Sequence, residues 1–526
     1  MIFLTEEAIL KIIWSYVGIS SIFLIWFFIY LFYKINMLKF LLETLKKHYI
    51  FFLFVLIVRF FLLQYFTLWK PIVHYDEELI VLMSIILARK FVFVHYFFPV
   101  RPWAYPLFIS FFNIYPFQIA NIIAKTISFI VSFFSVVLLF SIYKKFSINQ
   151  KITYIFTFLF SIASFNVFSS TRTKPDAFAV FFLLLFFYLW IDYVFKNKKN
   201  NLRMLLILAF FLIFTRFELV AVSFWFLTFL FLEAKNKKPY LAYFFILIMS
   251  SALFYINLLL DHRYSAIPFT FSFLYLKASF INKMILSPWI IFYALFGLFV
   301  IQGYFTKRNR DQKLFYLLTF FSFISILSVY TLYSFSSVER FQVLLYPFLF
   351  IGASSFNIIY KKFPRISWIL LCFLLIYFLL FSWRPLIDLN NQNEIKVRDM
   401  HIFSSKTITE LQEYNECLNG SIVYTGIFPY DCFKLPNSIT VFPDTTLNEI
   451  KLVEERYPDY NSYFLLLSPL LLEFLKENDL NFLTTNESYS LDKIKSTCPE
   501  FSNETIKHFV SLKKPLSYYL TNKENR

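Results

Sequence analysis

The sequence predicts a polytopic α-helical membrane protein with a small α/β-like domain at its C-terminal end. Of its 526 residues, 59% are hydrophobic and only 16% are charged, which is more apolar side chain than one soluble domain can bury. Runs of about 20 apolar residues, the length needed to cross about 30 Å of hydrocarbon, recur until about residue 383. The hydrophobic part is therefore expected to be a bundle of membrane-spanning helices.

The first hydrophobic run, 8–33, follows the acidic stretch TEEA and lacks a small-residue cleavage pattern. It is predicted to be a signal anchor, which together with a cytoplasmic loop makes up residues 1–48. A multi-helix transmembrane module is predicted at 49–383. Its hydrophobic runs are 49–69, 117–143, 152–168, 177–195, 204–215, 218–233, 240–260, 289–306, 314–333, 341–360 and 366–383.

Two features of this module, a short hairpin and the abundant Phe, carry separate expectations. The runs on either side of Thr215 and Arg216 are short, so they are predicted to form a shallow helical hairpin that does not fully cross. Arg216 would then either snorkel or line a cavity.

The 77 Phe residues are expected to be mostly lipid-facing filler with little functional weight.

The basic residues indicate which ends of the helices face the cytoplasm. The formal net charge of +17 could suit nucleic acid, but the charges fall in short clusters between hydrophobic runs, as the positive-inside rule describes for cytoplasmic loops. The six clusters are Lys34 to Lys47, Lys144 to Lys151, 196–203, 235–238, 307–313 and 361–365. The opposite, lumenal side is then predicted to carry 70–116, 169–176, 215–218, 261–288, 334–340 and the chain after 383.

After Trp383 the composition becomes mixed, and residues 384–526 are predicted to form a small α/β-like lumenal domain. Turn signals and short apolar stretches indicate strands, for example SIVY at 421–424 and SITVF at 438–442. Three N-x-[ST] sequons suit a lumenal domain, and they begin at Asn419, Asn486 and Asn503. At most one disulfide can form among three cysteines whose pairing the sequence leaves open: Cys417, Cys432 and Cys498.

The polar residues outside the basic clusters converge on the predicted lumenal face. Each one taken alone could be an ordinary solvated charge. Arginines and carboxylates gathered on one side of a helical bundle, however, suit a reaction on a charged lipid, with Arg holding phosphate and a carboxylate taking a proton. The candidates are His74, Asp76, Glu77, Arg101, Arg172, Asp176, Arg216, Glu218, Asp261, Arg263, Glu339 and Arg340.

Other kinds of site are not indicated. The sequence contains no P-loop, no G-x-G-x-x-G, no Cys-x-x-Cys, no His-Glu-x-x-His and no G-x-S-x-G. Its six His residues are scattered, so a catalytic zinc is not expected. Asp76, Glu77 and Glu78 are adjacent rather than an alternating acidic pair, so no required Mg²⁺ or Mn²⁺ is expected either.

Several segments, in order along residues 50–350, resemble the motifs of one enzyme group. HYDE at 74–77 is similar to a His-Pro-Asp-Glu signature, with Tyr75 in place of Pro. The others are RPWAYP at 101–106, STRTKPDAF at 170–178, TRFE at 215–218, LLDHRY at 259–264, SPW at 287–289 and VERFQVLLYPFL at 338–349. Together they resemble the GT-C class of endoplasmic-reticulum glycosyltransferases, and more narrowly the dolichol-phosphate-mannose-dependent mannosyltransferases that share this signature.

The resemblance implies a GT-C fold and an inverting transfer of mannose from dolichyl phosphate mannose to a glycolipid acceptor, without a cofactor, at the lumenal side of the endoplasmic reticulum membrane. Asp76 is the expected catalytic base, and Glu77 is expected to orient the acceptor. Arg59, inside a hydrophobic run, either holds phosphate or snorkels. The substrate-binding residues are expected to be His74, Arg101, Arg172, Arg216, Asp261, Arg263 and Arg340.

The C-terminal segments VYTGIFPYDCFKLPNSITVFPDT and DYNSYFLLLSPLLLEFLKE resemble most the lumenal tail of the family member that adds the third, α-1,2-linked mannose to the glycosylphosphatidylinositol precursor. A dolichol-linked oligosaccharide α-mannosyltransferase of N-glycan precursor assembly is the alternative within the family. Outside the family, the alternatives are a lipid transporter or scramblase and a non-catalytic subunit of a glycosylation complex. A transporter is expected to show inverted repeats or charges at mid-depth, and such a subunit is expected to lack the acidic motif.

Overall fold

The computed structural model describes residues 37–66, 105, 108–109, 117–163, 166–167, 170, 175–216, 219–260, 289–307, 309–332, 349–373, 376, 410, 415–418, 420–425, 439–441, 451, 454–455, 458–465, 491–506 and 509–511. This part of the chain is mostly helical, and its C-terminal region contains a four-stranded sheet.

The helices follow one another along the hydrophobic part of the chain. They are α1 (Met37–Lys47), α2 (Tyr49–Phe66), α3 (Phe117–Lys145), α4 (Gln150–Ile162), α5 (Asp176–Lys196), α6 (Leu202–Thr215), α7 (Val220–Glu233), α8 (Lys238–Leu260), α9 (Trp289–Thr306), α10 (Arg310–Leu332) and α11 (Leu349–Lys362). A further helical stretch covers Pro364–Phe373. By length and composition, α5 and the Ile123–Lys145 part of α3 are long and apolar enough to cross a membrane.

Most of these helices coincide with the hydrophobic runs, but α1 lies in the segment expected to be a cytoplasmic loop. The predicted loop thus contains a helix, which a search for long apolar runs overlooks because the helix is short and amphipathic. Leu38, Leu41, Leu42 and Leu45 recur at the three- and four-residue spacing of one helix face. Leu41 is buried, and α1 packs against α3.

The short hairpin is formed by α6 and α7. Each of these helices has 14 residues, about 21 Å at a rise of 1.5 Å per residue, which is less than the thickness of a hydrocarbon core. The hairpin packs along α5 and α10. At its tip, Arg216 contacts Asp176, the first residue of α5. The tip of the hairpin therefore lies level with the N-terminal end of α5.

Many aromatic side chains are buried between helices, and the expectation of lipid-facing filler is wrong for them. Trp190 of α5 is fully buried. Its ring lies 5.4 Å from Phe226 of α7 and 4.9 Å from Phe315 of α10, edge to face in both cases. Such pairs contribute about 0.5–1.5 kcal/mol each beyond their area burial. Aromatic packing therefore helps to hold α5, α7 and α10 together.

Other large apolar side chains lie on the outside of the bundle. Those of α2 are Tyr49, Ile50, Leu53, Phe54, Ile57, Phe60 and Phe61. Similar exposed side chains lie on α8, α9 and the Pro364–Phe373 stretch, for example Phe245, Phe305 and Ile369. Soluble monomers rarely expose contiguous apolar patches larger than a few hundred Å².

The C-terminal region contains a mixed sheet with the strand order β2-β1-β3-β4. Its strands are β1 (Ser421–Thr425), β2 (Ile439–Val441), β3 (Asn461–Leu465) and β4 (Phe509–Ser511), and the helices α12 (Leu491–Thr497) and α13 (Asn503–Ile506) precede β4. β1 pairs in parallel with β2 and β3, whereas β4 pairs antiparallel with β3. β1 and β2 lie at the two apolar stretches from which strands are predicted.

A disulfide between Cys417 and Cys498 joins the residues before β1 to the end of α12, with the two Cα atoms 5.2 Å apart. Between the disulfide and β1, Gly420 adopts a φ of 71°, a left-handed conformation that glycine accepts without steric cost. The buried hydroxyl of Tyr463 in β3 hydrogen bonds with Thr497 Oγ1 at 3.0 Å. The pairing left open by the sequence is thus Cys417 with Cys498.

Candidate functional site

Most of the predicted site residues lie outside the described part of the chain. These are the predicted catalytic residues Asp76 and Glu77 and the predicted substrate-binding residues His74, Arg101, Arg172, Asp261, Arg263 and Arg340. Three residues of the sequence prediction can be located: Arg59, Asp176 and Arg216.

Asp176 and Arg216 form a buried ion pair. Asp176 is the first residue of α5, and Arg216 follows the last residue of α6; the Arg216 Nη1 atom donates to Asp176 Oδ1. Both residues are buried. Each charge lies at the helix end whose dipole favours it, the carboxylate at an N-terminus and the guanidinium at a C-terminus. Arg216 therefore does not snorkel; it pairs with an acid inside the protein.

Arg59, Ser132 and Asn166 form a second buried polar group, here called the Arg59 cluster. Arg59 has an exposed fraction of 0%, and its Nη2 atom donates to Ser132 Oγ at 2.8 Å. The Ser132 hydroxyl in turn donates to Asn166 Oδ1 at 2.6 Å, and Asn166 Nδ2 donates to the Phe160 carbonyl oxygen at 2.9 Å. The guanidinium thus points into the bundle, so of the two alternatives given for Arg59 the structure excludes snorkelling.

The described residues satisfy the Arg59 guanidinium only in part. Its Nε and Nη1 atoms are buried and have no hydrogen-bond partner among these residues, and the Phe129 ring lies 5.5 Å from its Cζ. The buried carboxylates that form ion pairs in the described chain, Asp176 and Asp192, have other partners. A buried cation without a counter-charge is costly. The remaining N–H groups of Arg59 are therefore suited to binding an anion.

Tyr105 contacts residues close to the Arg59 cluster and to the ion pair of Asp176 with Arg216. The Tyr105 hydroxyl hydrogen bonds with Ser128 Oγ at 2.9 Å, one turn of α3 from the Arg59 cluster. Its ring lies 5.0 Å from that of Phe178 in the first turn of α5. Lys125, in the preceding turn of α3, is also buried. One end of the bundle therefore gathers the buried charged side chains of Arg59, Lys125, Asp176 and Arg216.

The opposite end of α3 and α5 carries a different ion pair. Lys145 Nζ lies 2.7 Å from Asp192 Oδ1 and donates to the Tyr188 carbonyl oxygen at 3.0 Å. The exposed Lys196 and Lys198 lie 3.6 and 3.7 Å from the same carboxylate. The end of α3 and the end of α5 therefore meet, and the two helices run in the same direction.

The other basic clusters lie at this same end of the bundle. Side-chain contacts connect Lys307 with Phe195, Arg310 with Leu232, Asn149 with Asn357 and His48 with Tyr154. Burial, and then the charges of Lys144 and Lys47, lower the pKa of His48. His48 is thus favoured in its neutral form among neighbouring lysines.

The sequence prediction missed Ser132, Asn166 and the pair of Lys145 with Asp192. Lys125, Ser128 and Ser132 are spaced by three and four residues in an otherwise apolar helix, which places them on one face, so a signal for a buried polar stripe was present. Asn166 offered no such signal because its partner Ser132 lies 34 residues away.

The described residues are suited to binding an anion rather than a metal ion. Among them, no group of three or more His, Cys, Asp or Glu side chains could hold a metal ion. The buried guanidinium of Arg59, whose Nε and Nη1 atoms have no hydrogen-bond partner among these residues, instead supplies positive charge inside an apolar bundle. In membrane proteins, charged side chains buried within apolar helices commonly mark functional sites.

Comparisons with known proteins assign no family to the chain. No family model matches it, and no curated protein matches it. Its function is therefore inferred from its own residues and contacts.

Proposed function

We propose that this chain is a polytopic glycosyltransferase of the GT-C fold in the endoplasmic reticulum membrane. It transfers mannose from dolichyl phosphate mannose to a glycolipid, with the third, α-1,2-linked mannose of the glycosylphosphatidylinositol precursor as the favoured product. The motif resemblances at 74–77, 101–106, 170–178, 215–218, 259–264, 287–289 and 338–349 are the starting point. The transfer inverts the configuration of the sugar and uses no cofactor.

The membrane location has two structural supports. α5 and the Ile123–Lys145 part of α3 are long and apolar enough to span. Large apolar side chains also cover the outside of α2, α8, α9 and the Pro364–Phe373 stretch, where water would make them unfavourable but lipid would not. A bundle with buried charges and apolar outer faces is the arrangement that a hydrocarbon environment favours.

The proposed orientation places the basic end in the cytoplasm and the end with Asp176 in the lumen. The positive-inside rule favours this because basic residues of several clusters lie at one end of the bundle. The disulfide between Cys417 and Cys498 favours an oxidising compartment for the C-terminal domain, since disulfides are rare in the cytosol.

The observation that carries the proposal is the ion pair between Asp176 and Arg216. These residues belong to the segments STRTKPDAF and TRFE, both of which resemble motifs of the same family, and 40 residues separate them in the sequence. Contact between the two segments at one end of the bundle is expected if both contribute to one active site.

In the proposed reaction, Asp76 removes the proton from the attacking acceptor hydroxyl as its oxygen bonds to the anomeric carbon of the donor mannose. The bond between that carbon and the phosphate oxygen breaks, and its electron pair leaves with dolichyl phosphate. Because attack occurs opposite the leaving group, a β-linked donor gives an α-linked product. No general acid is needed, since the leaving group is a stable phosphate monoester that basic residues neutralise.

The proposal is tested by the Asp76→Asn variant in microsomes supplied with dolichyl phosphate mannose. The variant should be expressed and inserted like the wild type but should transfer no mannose. Asp311→Asn, which changes an acid at the basic end of the bundle, serves as the matched control and should keep its activity. Near-normal turnover of Asp76→Asn would show that the proposed base is wrong.

The acceptor is identified by offering two defined glycolipids to the same microsomes. Transfer to a glycosylphosphatidylinositol precursor that bears two mannoses supports the favoured reaction. Transfer only to a dolichol-linked oligosaccharide would assign the chain to N-glycan precursor assembly. Transfer to neither acceptor, with the donor present and the protein folded, would refute both versions of the proposal.

A lipid transporter is the second candidate, and the fully buried Arg59 is the observation that favours it. Charged groups deep in a helical bundle are typical of substrate pathways through membranes. This candidate predicts that the purified chain in liposomes moves a labelled polyprenyl phosphate between leaflets and transfers no mannose. Mannose transfer without lipid movement would exclude it.

A further inference from the structure

We infer that the Arg59 cluster binds the phosphate group of a membrane lipid. The inference deepens the proposed function and rests on it for the membrane location and for the class of lipid, a polyprenyl phosphate. It does not depend on mannose transfer, because the binding site is argued from the contacts of Arg59 alone.

The first step concerns the donors of the Arg59 guanidinium. An arginine presents five N–H donors in a planar fork and has no acceptor. Among the described residues, Ser132 Oγ accepts from Nη2, whereas the buried Nε and Nη1 atoms have no acceptor. The oxygen atoms of a phosphate match this fork in charge and spacing. A phosphate would therefore supply both the missing acceptors and the missing counter-charge.

The second step concerns the orientation of the guanidinium. The Ser132 hydroxyl donates its hydrogen to Asn166 Oδ1 at 2.6 Å, and Asn166 Nδ2 donates to the Phe160 carbonyl oxygen. Ser132 can therefore only accept from Arg59, and this chain of hydrogen bonds fixes the edge of the guanidinium that faces the protein. Fixing a charged group before its ligand arrives lowers the cost of binding.

The third step favours a phosphate on a lipid over a soluble phosphate. Arg59 lies within the apolar helix α2, and its neighbours Phe60 and Phe61 are exposed on the outer face of that helix. A hydrocarbon chain lying against this face would bring its headgroup to α2, and because the Arg59 guanidinium points into the bundle the headgroup would reach it by entering between the helices. A soluble phosphate would have to lose its hydration without such a contribution from apolar burial.

The purified full-length chain in detergent provides the first test. Its thermal unfolding is measured alone and with a polyprenyl phosphate, with the polyprenol of the same length, or with inorganic phosphate. Ligands that bind the folded state raise the unfolding temperature, so we expect a rise with the polyprenyl phosphate only. An equal rise with the polyprenol would assign binding to the hydrocarbon tail, and a rise with inorganic phosphate alone would assign the site to a free anion; either result would overturn the inference.

Variants of Arg59 provide the second test. Arg59→Met should weaken the polyprenyl phosphate about 10- to 100-fold, the loss expected for hydrogen bonds to a charged group. Arg59→Lys, which keeps the charge but not the fork, should weaken it less, and it replaces the Met variant as the test if Arg59→Met does not fold. The control Arg203→Met removes an exposed arginine from the opposite end of the bundle and should leave binding unchanged. Wild-type affinity in a folded Arg59 variant would overturn the inference.

The two proposals fail in different ways. Phosphate-dependent binding that requires Arg59, in a chain that transfers no mannose, would refute the proposed enzyme and support the lipid site. Mannose transfer by a chain whose Arg59→Met variant binds polyprenyl phosphate as tightly as the wild type would support the enzyme and overturn the lipid site.

Discussion

The ion pair of Asp176 and Arg216 can be tested by removing each partner and then both. The variants are Arg216→Met, Asp176→Asn and the double substitution. Arg216→Met leaves a buried carboxylate without its observed partner, and Asp176→Asn leaves a buried guanidinium without its carboxylate. The double variant replaces each charged side chain with a neutral one close to it in size, Met for Arg216 and Asn for Asp176. It therefore no longer buries either charge.

The structure sets the expected magnitudes. Breaking a buried ion pair by removing one partner costs about 3–5 kcal/mol. The dipole of α5 acts on Asp176 whether or not Arg216 is present, so it does not offset this loss. Each single variant is therefore expected to lose about 3–5 kcal/mol of unfolding free energy, and the double variant only about 1–3 kcal/mol, because replacing the whole pair is far less costly than breaking it.

The assay is reversible unfolding of the purified chain in mixed micelles with increasing denaturing detergent, and mannose transfer is followed in parallel. The two substitutions should be coupled by at least about 2 kcal/mol. A control cycle with Arg203→Met and Asp311→Asn, two residues that form no ion pair with each other in the described chain, should be additive. Additivity of the Asp176 and Arg216 substitutions to within about 0.5 kcal/mol would refute the coupling.

Three further predictions concern packing, the disulfide and the lumenal side. A Cβ at Gly303 would lie 2.5 Å from the Tyr316 ring, so Gly303→Ala should cost about 1–3 kcal/mol of unfolding free energy; Gly297→Ala, where a Cβ meets nothing within 4 Å, should cost nothing. Cys417→Ser removes the disulfide and should destabilise the C-terminal domain by about 2–5 kcal/mol, measured as faster limited proteolysis; unchanged proteolysis would contradict a stabilising role. Asn503 is exposed within its sequon, so the chain expressed in a glycosylating cell should show an endoglycosidase-sensitive mobility shift that Asn503→Gln reduces; an identical pattern in both would argue against modification there.

The positions of the helices could be predicted because apolar transfer into lipid or a core dominates long hydrophobic runs. The run 289–306 and helix α9 have the same bounds, and the run 177–195 differs from α5 by one residue at each end. The sequence also places Arg216 at a turn between two helices. Asp176 could be identified from the sequence as a candidate site residue. Its pairing with Arg216 could not, because it depends on how the hairpin packs along α5.

The polar network around Arg59 and the aromatic core could not be predicted for the same reason. Whether Ser132 faces lipid or a neighbouring helix depends on the rotation of α3 in the bundle, and 73 residues separate it from Arg59. Likewise, Trp190 meets Phe226 and Phe315 only once α5, α7 and α10 are brought together. Phe is equally compatible with lipid and with a core, so composition alone cannot distinguish the two environments.

The charges of α5 fix its position along the bundle from both ends. Asp176 and Asp192 lie near opposite ends of this helix, about 24 Å apart at 1.5 Å per residue, and a basic residue from outside α5 neutralises each: Arg216 at one end and Lys145 at the other. A shift of α5 by one turn, about 5.4 Å, would separate both pairs at once. Arg216 is therefore held at a fixed height opposite the start of α5, which is the kind of support that a binding site at this end of the bundle requires.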